Sequence, residues 1–179
     1  MTDMHDLTER NATFAADRYK TGLSINPSGN LMIVGCVDPR VDPAHVLGLG
    51  QGEAAVIRNV GGRITPATLS TMAMLRKVGL ANPDGKQPGD WNLVILHHTD
   101  CGMTDLAAYP DLLAAYFEVA PDGLRNKSVS DPFGSVRVDV DVALREINRS
   151  AFLVSGLVYD VATGRVETVV APTPPSAVP

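Results

Sequence analysis

Two short runs in this chain are apolar without a break and without alternation: Leu31-Met32-Ile33-Val34 and Leu93-Val94-Ile95-Leu96. Successive side chains of a strand point to opposite faces. A run of this kind therefore belongs where both faces are covered, as in a parallel sheet flanked by helices. Each run leads into a polar cluster that holds one of the chain's two cysteines. Cys36-Val37-Asp38-Pro39-Arg40 follows the first, and His98-Thr99-Asp100-Cys101 follows the second.

The segments between these runs alternate in type. Residues 6–19 read as a helix with a thin apolar stripe of Leu7, Phe14 and Ala15, suited to an arm laid against a partner subunit as much as to its own core. Strands are expected at 31–37, 54–59, 91–97 and 152–159, with a hairpin continuing over 165–170. Asp42-Pro43 and Thr65-Pro66 each place a capping side chain before a proline at the first helical position. The second of these starts a helix to about Val78, with Leu69, Met72, Ala73 and Leu75 as its inner face. Gly61-Gly62 before it implies positive φ or close backbone approach. Residues 82–90 form a loop, 104–119 a helix broken or bent at Pro110, and 120–135 an irregular stretch. Val136–Arg149 alternates like a strand at first, but Ala143-Leu144-Arg145-Glu146-Ile147 is helical in composition. It is read as a helix whose broad face carries Val138, Val142, Leu144 or Arg145, and Ile147.

The fold class expected is α/β: an open, mostly parallel sheet of about four to five strands flanked by helices on both faces. The chain is read as a single domain over 1–179, with a helical arm at 1–24 and a flexible tail at 171–179. At 179 residues it can bury about 70% of its unfolded surface. A formal charge of −5 and no cluster of Lys and Arg argue against nucleic acid. The polar, acidic start lacks the pattern of a secretory signal, and no apolar run approaches the ~20 residues that span a bilayer. A cytoplasmic location follows, where thiols stay reduced.

Ligand sites in such sheets lie beyond the carboxyl ends of the strands, where both cysteine clusters fall. Cys36, His98 and Cys101 make a three-ligand set suited to Zn2+ with a fourth position open, provided that the first and third strands are neighbours. Two unrelated buried thiols are the plain alternative. His97 points away from His98 on the strand and reads as an ordinary packed histidine. Asp38 is placed either to complete the zinc tetrahedron or to accept a proton while paired with Arg40; a simple surface ion pair is the plain alternative.

Cys-x-Asp-x-Arg followed some sixty residues later by His-x-x-Cys resembles the signature of the beta-class carbonic anhydrases. The likeness extends through Val56-Ile57-Arg58-Asn59-Val60-Gly61-Gly62, His98-Thr99-Asp100-Cys101-Gly102-Met103 and Gly156-Leu157-Val158-Tyr159-Asp160, and covers most of residues 30–165. The short length and the His-His-Thr-Asp-Cys-Gly-Met run look most like a compact bacterial branch. The resemblance implies Zn2+ held by Cys36, His98 and Cys101, with Asp38 and Arg40 as a catalytic dyad and Asp38 able to take the fourth zinc position in a closed state. It implies reversible hydration of carbon dioxide to bicarbonate by zinc-bound hydroxide, with activity rising with pH. The same motifs admit hydrolysis of carbonyl sulfide or carbon disulfide, or a non-catalytic zinc- or bicarbonate-sensing homologue. A homodimer or dimer of dimers, with the N-terminal helix crossing to the partner, is also implied. Two positions depart from the family pattern. Pro27 stands where many members carry a glutamine that positions substrate, and Pro39 stands where Ser or Ala is commoner.

Overall fold

A five-stranded sheet in the order β2-β1-β3-β4-β5 organises the chain. The computed structural model describes residues 2–83, 91–147 and 152–173. The strands are β1 (Leu31–Cys36), β2 (Ala54–Asn59), β3 (Trp91–His98), β4 (Phe152–Asp160) and β5 (Arg165–Thr173). The first four are parallel, and β5 returns antiparallel to β4 as a hairpin. Ala171–Thr173, expected in the tail, continue β5, with Thr173 paired to Val154. The rest of the expected tail, 174–179, lies outside the described residues, as does most of the 82–90 loop.

From β1 the chain moves to one side to build β2, then crosses to the other side to build β3. The strand order therefore reverses between β1 and β3, and a crevice opens there at their carboxyl ends. The register is Leu31↔Asn92 through Gly35↔Leu96, so Cys36 leaves the sheet beside the end of β3.

The helices are α1 (Met4–Asp17), α2 (Pro43–Val46), α3 (Pro66–Ala81), α4 (Pro110–Phe117) and α5 (Pro132–Glu146). The inward residues of α3 and α5 join one face of the strands in a single cluster: Met72, Val136, Val140 and Ala143 against Met32, Val34, Leu93, Ile95, Val154 and Val158. Burying each large aliphatic side chain contributes roughly 1.5–3 kcal/mol. On the opposite face Ile33 and Leu96 are fully buried, and Pro43 of α2 approaches Gly35.

Local rules explain most boundaries. Asp42, Thr65 and Asp131 each accept a backbone N–H at a helix start, and each precedes a proline. Asp131-Pro132 thus begins α5 four residues before the expected Val136. The expected face of α5 is also corrected. Ser135, Val136, Asp139, Val140 and Ala143 are buried, whereas Val142 and Leu144 are only partly so. A buried aspartate inside an apolar stripe defeats a pattern based on hydrophobicity alone. In α3, Thr68 and Met72 face inward, while Ala73 and Leu75 lie outside. The segment 104–119 is broken at Pro110, as expected, but its first part is not an α-helix. A 3-10 turn spans Asp105–Ala108, and Pro110 opens α4, where its missing N–H costs nothing.

Both Gly61 and Gly62 have positive φ, +76° and +67°. A Cβ on Gly62 would stand 2.9 Å from the backbone N of Cys36 and 2.9 Å from the carbonyl carbon of Gly35. Gly62→Ala is therefore expected to destabilise the protein by about 2–4 kcal/mol, combining left-handed strain with a clash against backbone that cannot yield. Chemical denaturation of the two proteins measures this, and a difference below about 0.5 kcal/mol would contradict it.

Candidate metal centre

The end of β3 sends two adjacent imidazoles in opposite directions. His98 turns toward the crevice, where its Nδ1 lies 2.8 Å from the Thr99 carbonyl oxygen. A carbonyl only accepts, so Nδ1 carries the proton and Nε2 presents a lone pair. That Nε2 is buried and has no hydrogen-bond partner. A buried acceptor left bare is costly unless something else takes the lone pair.

Two sulfurs stand before it. Cys36 Sγ and Cys101 Sγ are 4.0 Å apart, about twice a disulfide bond, and the ligand atoms of Cys36, His98 and Cys101 all lie within 4.8 Å of one another. Two thiolates at zinc's usual bond length of about 2.3 Å and tetrahedral angle would stand about 3.8 Å apart. The spacing fits a tetrahedral ion of that size.

The charge balance points the same way. The Cys101 thiol, hydrogen-bonded to Cys36, pulls the Cys36 pKa down to about 4 against the opposing effect of burial. The same contact, with burial, pushes Cys101 up. The pair therefore shares one proton. Burial works against a charged His98, but the nearby Cys36 thiolate and the Thr99 contact outweigh it and raise its pKa. A dication would stabilise both thiolates and take the free imidazole lone pair, displacing the shared proton. Donor set, spacing and orphaned nitrogen all fit zinc.

Asp38 and Arg40 meet beside this cluster. The Asp38 carboxylate accepts from the backbone N–H of Arg40 at 2.9 Å, from its Nε at 3.0 Å and from its Nη2 at 2.7 Å. The side-chain contact with Arg40 is the main cause that holds the Asp38 pKa near 2. Pro39 suits this arrangement, because a residue before proline is driven to extended ψ and Asp38 has ψ 126°. The first N–H available to the Asp38 carboxylate is then that of Arg40. The Asp38 backbone N–H points at Cys36 Sγ, 3.4 Å away.

Several participants escaped the sequence reading. Arg58 clamps the loop by donating to the carbonyls of Cys36 and Asp38 and to the Asp42 carboxylate. Behind the cluster, Arg63 and Asp139 form an ion pair whose side chains are each 1% exposed, with Nε to Oδ2 at 2.7 Å. Arg63 also donates to the Lys127 carbonyl, and its guanidinium sits over the Phe117 ring. His97 lies in this network, 2.7 Å from Ser135 Oγ and 3.2 Å from both Asp139 Oδ2 and Gly62 O. It is the packed histidine expected from its place on the strand. Burial opposes ionisation of Asp139, but His97 and the Arg63 charge outweigh it and lower its pKa. Sequence carried little signal for this network, because Asp139 alternates with Arg137 and Asp141 along Val136–Val142 and nothing local marks which charge turns inward.

Geometry of this kind defines an α/β protein with a Cys2His cluster at its switch point, and comparisons with known proteins agree. Residues 31–118 match the family model described as carbonic anhydrase. Beta-carbonic anhydrase 1 of Mycobacterium tuberculosis is 31% identical over 174 residues, covering 94% of this chain and 99% of the relative. The chain belongs to the beta-carbonic anhydrase family, whose members of that name are enzymes. The carbonic anhydrase structure from Streptococcus mutans superposes with a TM-score of 0.69 at 29% identity, covering 94% of this chain and 98% of the other. A carbon disulfide hydrolase shares the fold alone, with a TM-score of 0.56 at 22% identity over 97% of this chain and 91% of that one.

Asp139→Asn keeps the shape of the inner network but leaves the Arg63 guanidinium without its buried counter-charge. The variant is expected to lose about 3 kcal/mol, or roughly 6–12 °C in Tm. The folded pKa of Asp139 lies below its unfolded value of about 3.9, so its stabilisation is present above that pH and fades below it. Urea unfolding of both proteins should show the deficit shrinking as the pH falls below about 4. A deficit that is constant with pH would refute an ionic origin.

Proposed function

We propose that this chain is a zinc-dependent carbonic anhydrase that catalyses the reversible hydration of carbon dioxide to bicarbonate and a proton. Membership of the family supports the reaction class. The buried, unpartnered His98 Nε2 facing two thiols carries the assignment of Cys36, His98 and Cys101 as the ligands. The ion would supply Lewis acidity, making a nucleophile from water available near neutral pH.

The other residues prepare the site for that chemistry. Thr99 fixes the His98 tautomer and aims its lone pair. Arg58 fixes the loop that carries Asp38. Arg40 keeps Asp38 ionised and turned toward itself, so that an ion held by Cys36, His98 and Cys101 would remain accessible to water and substrate. Asp38 is then placed to accept a hydrogen bond from the reacting water and to orient it.

A second copy of the chain is the proposed partner. Helix α1 is closed by a capping box between Asp3 and Asp6, yet it buries no residue of its own. Met4 and Leu7 on it, and Tyr19, Leu23 and Ile25 after it, remain exposed. An apolar arm of this kind is suited to lie across another protomer, giving a homodimer or a dimer of dimers. Among the described residues, no helix is long and apolar enough to cross a membrane. The proposed location is the cytoplasm, where both thiols stay available to the ion.

Purified protein should carry one zinc per chain by elemental analysis, and Cys36→Ser should fall below about a tenth of that. Stopped-flow assays should show hydration of carbon dioxide. Asp38→Ala should lower kcat/KM by about 100-fold, the usual cost of losing a group that positions a reactant. Release of sulfide from carbonyl sulfide or carbon disulfide, without measurable bicarbonate formation, would overturn the proposed substrate. Bound zinc with no turnover between about pH 7 and 9 would overturn the enzymatic reading.

A further inference from the structure

Arg40 is gripped from two sides. Toward the first ligand loop its Nε and Nη2 donate to Asp38. Toward the second, its Nη1 donates to Asp100 Oδ2 at 2.6 Å and its Nη2 to the Asp100 carbonyl at 2.8 Å. Asp100 lies between His98 and Cys101, so these bonds tie a side chain rooted beside Cys36 to the loop bearing the other two ligands. Its backbone is left-handed, with φ +52°. A residue with a Cβ adopts that conformation at a cost, and such strain gathers where a side chain must be aimed. Here it directs both the carbonyl and the carboxylate of one residue at one guanidinium.

The need for a second grip follows from exposure. Arg40 is 48% exposed on a flexible stem, and a surface pair with Asp38 alone would be held weakly against water. Asp38 is mostly covered, with a side chain 15% exposed, and sits next to the sulfur of Cys36. If Arg40 swings away, Asp38 loses its partner while a vacant ligand position is close by. We propose that Asp100 is a positioning residue: it anchors Arg40 from the second ligand loop and thereby keeps Asp38 off the fourth metal position. This rests on the metal reading given above.

The test uses the full chain loaded with cobalt(II), whose visible spectrum reports an anion entering an open metal position, and azide as the probe. Asp100→Gly removes the carboxylate while suiting the positive φ, so the loop keeps its course. Its azide Kd should rise about fivefold, the upper end for an exposed charged pair. Asp100→Asn, which retains an acceptor for Nη1, should fall between the two. In an Asp38→Ala background, Asp100→Gly should leave azide affinity unchanged, because the competing ligand is gone. Unchanged azide affinity in cobalt-loaded Asp100→Gly with Asp38 present would overturn the proposal. Equal weakening in the Asp38→Ala background would overturn it too, since Asp100 would then act without Asp38. Wild-type protein that takes up no cobalt would instead overturn the metal reading, and this inference with it.

Discussion

Parallel pairing of β1 with β3 is the constraint on which the site depends. Residues 36 and 101 are far apart in the chain, yet their sulfurs stand 4.0 Å apart because these two strands are neighbours that end together. The pairing also sets the switch in strand order, since β2 lies on one side of β1 and β3 on the other. Gly62 seals the arrangement. Its backbone lies so close to Gly35, Cys36 and the Leu96 carbonyl that no side chain fits. The loop after β2 is thus pressed onto the ends of both ligand-bearing strands, and the geometry of the cluster is inherited from the sheet.

Behind that loop stands a second constraint, the buried set of Arg63, Asp139 and His97. An ion pair so enclosed gains little net stability over a hydrophobic alternative, because desolvation offsets most of the attraction. What it does give is specificity of position. Asp139 accepts from Arg63 and from the Ile64 backbone N–H, and also contacts His97, so α5 has one register against the β2–α3 connection. His97 then occupies the side of β3 facing α5, which leaves His98 facing the sulfurs. The direction of the His98 imidazole is in this sense decided on the far side of the strand.

Much of the fold was legible in the chain. The apolar runs at Leu31 and Leu93 announced strands buried on both faces, and Asp42-Pro43 and Thr65-Pro66 announced helix starts. Asp131-Pro132 carries the same signal, four residues ahead of the apolar pattern that begins at Val136. The misjudged faces of α3 and α5 share one cause. Sequence periodicity ranks residues by hydrophobicity, whereas burial also admits polar groups that find partners, as Thr68 and Asp139 do. Leu75 is outside for the complementary reason: α3 has more apolar residues than its contact with the sheet can cover.

Residue order alone supplies the chemistry available: two thiols, an imidazole, and an aspartate two residues before an arginine, each at the end of an apolar run. Chemical type is a local property, and so are capping, strand-length apolar runs and the need for glycine at positions 61 and 62. Which of these groups meet, and in what surroundings, came with the folded sheet. It bonded the His98 Nδ1 to Thr99 and left Nε2 bare, brought the Cys36 and Cys101 sulfurs to 4.0 Å, and brought Asp100 across to share Arg40 with Asp38. Those outcomes depend on distances between residues far apart in the chain, and such distances exist only once the strands have paired.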